Sequence, residues 1–183
     1  FVMSHDVPSI FAGHYDPSFP IALCLKDLSL IKELMDEVGT RNELTAATHA
    51  ALAVTDPADG LPGISRIAFG LCPLGQPMTL ISSLAPHFAA LKADPRCSLM
   101  VGEVGAKGDP LTHPRLMLKA TATFIAAEDP ARPALRDHWL TTHPKARLYI
   151  DFVDFAFVRF TPISALLNGG FARAFRLSPA DLG

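Results

Sequence analysis

The spacing of apolar residues predicts one helix near the start of the chain, followed by a series of short strands. Over residues 21–38, apolar side chains recur every three or four positions, which is the one-face pattern of a helix. From about Leu44 the pattern changes to short runs of apolar and β-branched residues, each bounded by Pro, Gly or Asp. Residues 115–121 alternate polar and apolar side chains, which indicates a strand with one buried face.

The second region is predicted to be mainly β, with a few helices. We predict strands at 48–55, 63–71, 77–82, 96–103, 115–127, 154–161 and 163–168. Two helices are predicted at 84–92 and 131–142, both with prolines close to their ends. Many strands with few crossover helices favour an antiparallel barrel over a parallel doubly wound sheet.

The composition fits one globular domain with an appendage and excludes several classes of protein. The chain has 183 residues, of which 49% are hydrophobic, so it can bury a core and is not intrinsically disordered. A net charge of -2 argues against sequence-independent nucleic-acid binding, which needs a basic face. The sequence shows no apolar run long enough to cross a membrane and no secretory leader, so we predict a cytoplasmic protein.

The cysteines and histidines do not form a metal or disulfide pattern. Cys24, Cys72 and Cys97 are odd in number and widely spaced, so we predict buried free thiols. The seven histidines are dispersed, which favours surface or capping roles over a metal site. None of the common nucleotide, hydrolase or zinc-protease motifs is present, so the catalytic residues stay unknown.

One group of residues predicts an anion site. Arg66 lies inside an apolar strand, where a charge needs a partner. The next strand runs into Ser82-Ser83 and then a helix that carries His87. Such a strand-to-helix turn is expected to offer free backbone N–H groups, hydroxyls and positive potential to a phosphate. In the alternative interpretation, Arg66 pairs with a carboxylate at a sheet edge and Ser83 caps the helix.

Several stretches after residue 44 resemble a known family. THAALAVTDPADGLPGISRIAFG, LISSLAPHFAALKADPRCSLMVGE and DFAFVRF are similar to the FMN-binding split barrels related to pyridoxamine 5'-phosphate oxidase, and above all to their haem-utilisation branch. The resemblance covers about three quarters of the chain and implies a split-barrel domain over residues 44–183. It further implies a homodimer of antiparallel split barrels with FMN in the clefts between the subunits.

The resemblance also implies which residues bind the cofactor. Arg66 matches the strand arginine that contacts the FMN phosphate, and His87 takes a basic position beside that phosphate. The remaining positions match the turn and the strand that line the flavin, namely Ile81, Ser82, Ser83, Arg115 and Leu116.

The chain departs from the family pattern near the phosphate. Phe88-Ala89-Ala90 replaces a stretch that often contains a lysine and a threonine, and Pro86 stands where the oxidase has an arginine. Losing one charge-assisted contact costs about 1–3 kcal/mol, so FMN is expected to bind weakly or not at all. The oxidase's C-terminal Arg-x-His motif is also missing, so synthesis of pyridoxal phosphate is not expected.

Residues 1–43 resemble a different family. HYDPSFPIALCLKDLSLIKELMDEVG is similar to a helix in the C-terminal domain of β-hydroxyacid dehydrogenases. The nucleotide-binding half of those enzymes has no counterpart in the sequence, so no dehydrogenase activity follows. We predict a helical segment of uncertain origin that packs on the barrel or on a dimer partner.

Three functions follow from these expectations. The leading hypothesis is an FMN-dependent oxidoreductase acting on a small-molecule substrate at a dimer cleft, where the flavin supplies the chemistry. The first alternative is a haem-binding or haem-utilisation protein without flavin. The second is a dimeric barrel that has lost its cofactor and serves as a binding module.

Overall fold

The computed structural model describes residues 48–102, 104–169 and 174–181. The helix predicted over 21–38, the whole segment 1–43 and Cys24 lie outside the described residues. Within the described part of the chain, no helix is both long enough and apolar enough to span a membrane.

The described residues form eight strands and two α-helices. The strands are β1 (His49–Thr55), β2 (Pro62–Ala68), β3 (Gly70–Leu71), β4 (Pro77–Ser82), β5 (Arg96–Val101), β6 (Arg115–Phe124), β7 (Phe155–Asn168) and β8 (Ala174–Leu177). The helices are α1 (Pro86–Ala93) and α2 (Arg132–Thr142). Short 3₁₀ turns lie at Pro110–Thr112, Pro144–Leu148 and Pro179–Asp181.

One stretch of chain, residues 62–71, supplies both ends of the sheet. The strand order is β2-β1-β5-β6-β7-β4-β3, with β8 paired to β7. All pairs are antiparallel, with β2 on β1 and β3 on β4. At the junction of the two strands, the Phe69 N–H donates to the Thr48 carbonyl over 2.9 Å, and the Thr79 hydroxyl donates to the Ala68 carbonyl over 2.6 Å. The sheet therefore curls back on itself, which confirms the predicted antiparallel split barrel.

Two hydrophobic cores lie on opposite sides of the curled sheet. The barrel interior is filled by alternate residues of the strands, among them Leu52, Leu99 and Phe160. The second core lies between α2 and the outer side of β4 and β7, around Trp139, which is 1% exposed. The Trp139 ring meets the Phe157 ring edge to face, with 5.9 Å between centroids.

The strand predictions are largely confirmed, with three corrections. The strands predicted at 154–161 and 163–168 are one strand, β7. Its pairing with β6 continues on both sides of a bulge at Ile163, since Pro162 pairs with Ala120 and Ser164 with Lys119. The strand predicted at 63–71 is interrupted at Phe69, where its pairing passes from β1 to β4. Finally, β8 was not predicted.

The described cysteines are free and buried, as predicted. Cys72 and Cys97 form no disulfide. Burial raises the pKa of the Cys97 thiol to about 12, so it stays protonated at neutral pH and is a poor nucleophile.

We predict that the core under α2 contributes strongly to stability. Trp139→Ala is expected to lower the free energy of unfolding by about 3–5 kcal/mol, because it empties a fully packed site. Leu148→Ala, at a side chain that is 78% exposed, serves as the control and is expected to change it by less than about 0.5 kcal/mol. Since Trp139 is the single tryptophan, unfolding in urea should be followed by far-ultraviolet circular dichroism. Equal losses in the two variants would contradict this role.

Candidate functional site

The barrel closure brings β2, which carries Arg66, next to β4, which ends at Ser82. Gly70 pairs with Met78 and Leu71 with Pro77, and β2 contacts β4 as well. We call the line of contact between β2 and β4 the seam. The Arg66 side chain is exposed. Among the described residues it has no carboxylate partner, so the predicted pairing at a sheet edge is not found.

The hydrogen-bond donors of the turn after β4 are already used. The Ser82 hydroxyl donates to Asp154 Oδ2 over 2.6 Å, and the Ser83 N–H donates to the Asp154 carbonyl over 2.7 Å. The Leu84 N–H donates to Ser82 Oγ and the Ala85 N–H to the Ser82 carbonyl, both over 3.1 Å. Pro86 has no N–H to offer. The expectation of free backbone N–H groups is therefore wrong for residues 83–85, whose N–H groups donate to Asp154 or Ser82.

The other predicted residues of the turn contribute less than expected. Ile81 is buried in the barrel core, so only its backbone is available to a ligand. Helix α1 begins after Ala85 and has no side-chain cap, so the alternative in which Ser83 caps the helix is wrong. Burial lowers the pKa of His87, which keeps its imidazole neutral near pH 7. His87 is therefore not a cation for a phosphate at that pH.

Arg115 and Leu116 lie away from this seam within one chain. They begin β6, which is separated from β2 by β1 and β5, a distance of about 14 Å at the usual strand spacing. The Arg115 guanidinium donates to the Leu111 carbonyl over 2.9 Å and to the His113 carbonyl over 3.3 Å. Leu116 packs against the barrel core and lines a separate cavity of 320 Å³ at the barrel mouth, together with Phe69.

A broad basic and apolar surface covers the outer side of the sheet from β2 to β8. We call it the outer face. One row of paired residues crosses it in the order Arg66, Ala51, Met100, Met117, Leu166 and Arg176. The neighbouring row runs in the order Ile64, Ala53, Ser98, Lys119 and Ser164. The first row is thus apolar in the middle and has an arginine at each end.

The outer face has cations but no strand carboxylate. None of the eight described strands contains Asp or Glu. Arg96, on β5, pairs with the Asp94 carboxylate in the preceding turn. This contact lowers the pKa of Asp94 to about 2. An open groove of 370 Å³ lies on this face and is lined in part by Ala53, Lys119 and Ile163. Apolar surface flanked by cations suits a flat, anionic ligand.

Sequence reasoning missed two features of this site. The role of Asp154 has no local signal, since it lies 72 residues from Ser82. The outer face could have been predicted from the sequence, because strands of one sheet that all lack acidic residues predict a face with positive potential. Among the described residues, no three His, Cys, Asp or Glu side chains group together.

Comparisons with known proteins place the chain among haem-related split barrels. No family model matches the sequence. Over 119 residues, 64% of this chain, it is 36% identical to the non-canonical heme oxygenase HOZ, chloroplastic, of Arabidopsis thaliana. The chain spans only 35% of that relative's length. Because HOZ is described as chloroplastic, the cytoplasmic location of this chain stays a prediction.

Solved structures support the same grouping. One chain of known structure is 41% identical, with a TM-score of 0.69 over 78% of this chain and 91% of its own length. A heme binding protein from Mycobacterium smegmatis is 27% identical, with a TM-score of 0.67 over 76% of this chain and 57% of its own length. Both structural matches therefore cover about three quarters of this chain.

We predict that His87 titrates below pH 6.5, the usual value for histidine, because burial disfavours its charged form. As pH falls below 6.5 the unfolded chain takes up the proton first. The stability linked to His87 is therefore complete above pH 6.5 and is lost as pH falls through the folded pKa. The measurement is an NMR titration of the imidazole, assigned with His87→Gln as the control. A midpoint at or above 6.5 would contradict the assignment.

Proposed function

We propose a function from the premise that this chain belongs to the split-barrel family related to pyridoxamine 5'-phosphate oxidase, in its haem-utilisation branch. The proposal is that the chain binds haem on the outer face of its barrel and acts in haem utilisation. Haem breakdown is the second candidate, favoured by the 36% identity to a heme oxygenase.

The observation that carries the proposal is the row from Arg66 to Arg176. Haem is a flat, mostly apolar ring with two carboxylates at one edge. Met100, Met117 and Leu166 offer apolar contacts to such a ring. Arg66 and Arg176 lie at opposite ends of the row, about 24 Å apart at the usual strand spacing, so the arginine at one end offers charge-assisted hydrogen bonds to the two carboxylates. No strand carboxylate opposes the ligand's charge.

The outer face also carries atoms that can bind haem iron. His49 lies in β1 and Met100 in the neighbouring β5. His49 is on the outer side because it alternates with the buried Ala50 and Leu52, and Met100 is on the same side because it pairs with Ala51. Imidazole and thioether groups are both common axial ligands of haem. When bound, haem would supply the redox and oxygen chemistry of its iron, and the protein would hold and orient it.

A second copy of the chain is the proposed cover for this face. Ile64 is 77% exposed and Met100 is 48% exposed, and Ile163 and Leu166 also reach solvent. Contiguous apolar surface of this kind marks an interaction site. Two outer faces in contact would shield a ring between them from water and would add the partner's cations, in line with the homodimer that the family resemblance implies.

FMN, the leading expectation from the sequence, receives less support than haem. The turn that should hold its phosphate has its backbone donors in use and a carboxylate beside it. His87 is kept neutral by burial. The named relatives point to haem. A flavin-dependent oxidoreductase and a cofactor-free binding module are kept as outcomes of the tests.

We predict that the protein binds haemin and shifts its Soret band. Because the two carboxylates lie at one edge of the ring, either Arg66→Ala or Arg176→Ala is expected to weaken binding about tenfold, through loss of a charge-assisted contact to a carboxylate. Lys145→Ala, in the 3₁₀ turn Pro144–Leu148, is the control and should leave the affinity unchanged. A spectrum that stays that of free haemin contradicts haem binding. Loss of the Soret band in air with a reductant supports haem breakdown, and a stable band supports binding alone.

We predict that the chain is a dimer at micromolar concentration and that Met100→Asp makes it monomeric. The substitution would bury a charge at the centre of the apolar row, which costs far more than the contact it replaces. Leu148→Asp adds the same charge at an exposed site elsewhere and should stay dimeric. Sedimentation velocity measures the outcome. A wild-type monomer at tens of micromolar would rule out the shared face.

A further inference from the structure

We infer that Asp154 determines ligand specificity by keeping phosphate-bearing ligands away from the turn Ser82–Pro86. This inference does not depend on haem binding. It concerns a turn at which the sequence pattern predicts a phosphate, and it explains which property of this chain opposes that ligand.

The first observation is the position of the carboxylate. Asp154 directly precedes β7, and β7 pairs with β4 so that Phe155 lies opposite Ser82. This pairing places the Asp154 carboxylate beside the end of β4, where Oδ2 accepts the Ser82 hydroxyl over 2.6 Å. The Ser82 oxygen in turn accepts the Leu84 N–H. The carboxylate is therefore held at the turn by both backbone pairing and a short hydrogen bond.

The second observation is that a phosphate would find no backbone donor between Ser83 and Pro86. The Ser83, Leu84 and Ala85 N–H groups donate to Asp154 or Ser82, and Pro86 has none. An arriving phosphate would have to break these bonds and take up a position close to a negative charge.

Like charges placed side by side disfavour binding, and such a repulsive element can set specificity as effectively as an attractive contact. A neutral ligand at the same turn meets no such penalty. Nor does an anionic ligand whose charges lie elsewhere on the outer face. Asp154 thus discriminates by phosphate charge rather than by the shape of the ring.

The test compares FMN with riboflavin, which has the same ring system without the phosphate. Both are titrated by fluorescence quenching against the wild type and Asp154→Asn. Asparagine keeps an oxygen that can accept the Ser82 hydroxyl and removes the charge. The affinity for FMN is expected to rise about tenfold or more, while the affinity for riboflavin changes less than about twofold. Asp151→Asn, at an exposed carboxylate that pairs with Arg136, is the matched control and should change neither.

Three results would overturn the inference. One is an Asp154→Asn variant without a gain for FMN, including a variant that binds neither flavin. Another is an equal gain for FMN and riboflavin, since that would indicate a change of shape. The third is a wild type that binds FMN more tightly than riboflavin, a comparison that needs no variant and decides the matter if Asp154→Asn does not fold. The haemin affinity of Asp154→Asn should equal that of the wild type, so a failure of haem binding and a failure of this inference can be told apart.

Discussion

The structure depends on the pairing of residues 62–71 with two different strands in succession. Their first part pairs with β1 and their last part with β4, so a single stretch closes the sheet. The change of partner occurs at Phe69, whose N–H bonds to Thr48, while the preceding Ala68 carbonyl accepts the Thr79 hydroxyl. Closure satisfies edge groups that would otherwise be exposed and creates separate inner and outer faces. The core and the ligand face both follow from that separation.

The two sides of the curled sheet then take different roles. The inner side is filled by apolar side chains, and a cavity of 320 Å³ is lined in part by Phe69 and Leu116. On the outer side, α2 and Trp139 cover β4 and part of β7. Among the described residues, neither helix shares a core cluster with the outward-facing side chains of β2, β1, β5 and β6. This is the same surface on which the arginines lie and from which strand carboxylates are absent.

The turn after β4 shows how a local pattern can be right about position and wrong about chemistry. The strand that carries Arg66 and the strand that ends at Ser82 do contact each other where the barrel closes. Whether the turn has donors to spare depends on Asp154, whose contact with Ser82 arises only from the pairing of β7 with β4. The same pairing makes the turn acidic, although the residues of the turn itself would favour an anion.

The alternation of side chains by itself determined the strands, their buried faces and the mainly β character of the chain, since period-two burial is a local property of extended backbone. The prolines near the helix ends also allowed α1 and α2 to be predicted within a few residues. Only the tertiary structure decided that 155–168 is one bulged strand, that β8 adds Arg176 to the outer row, and that Asp154 faces Ser82. Those outcomes depend on register between segments far apart in the chain, and no local pattern encodes the free energy of that pairing.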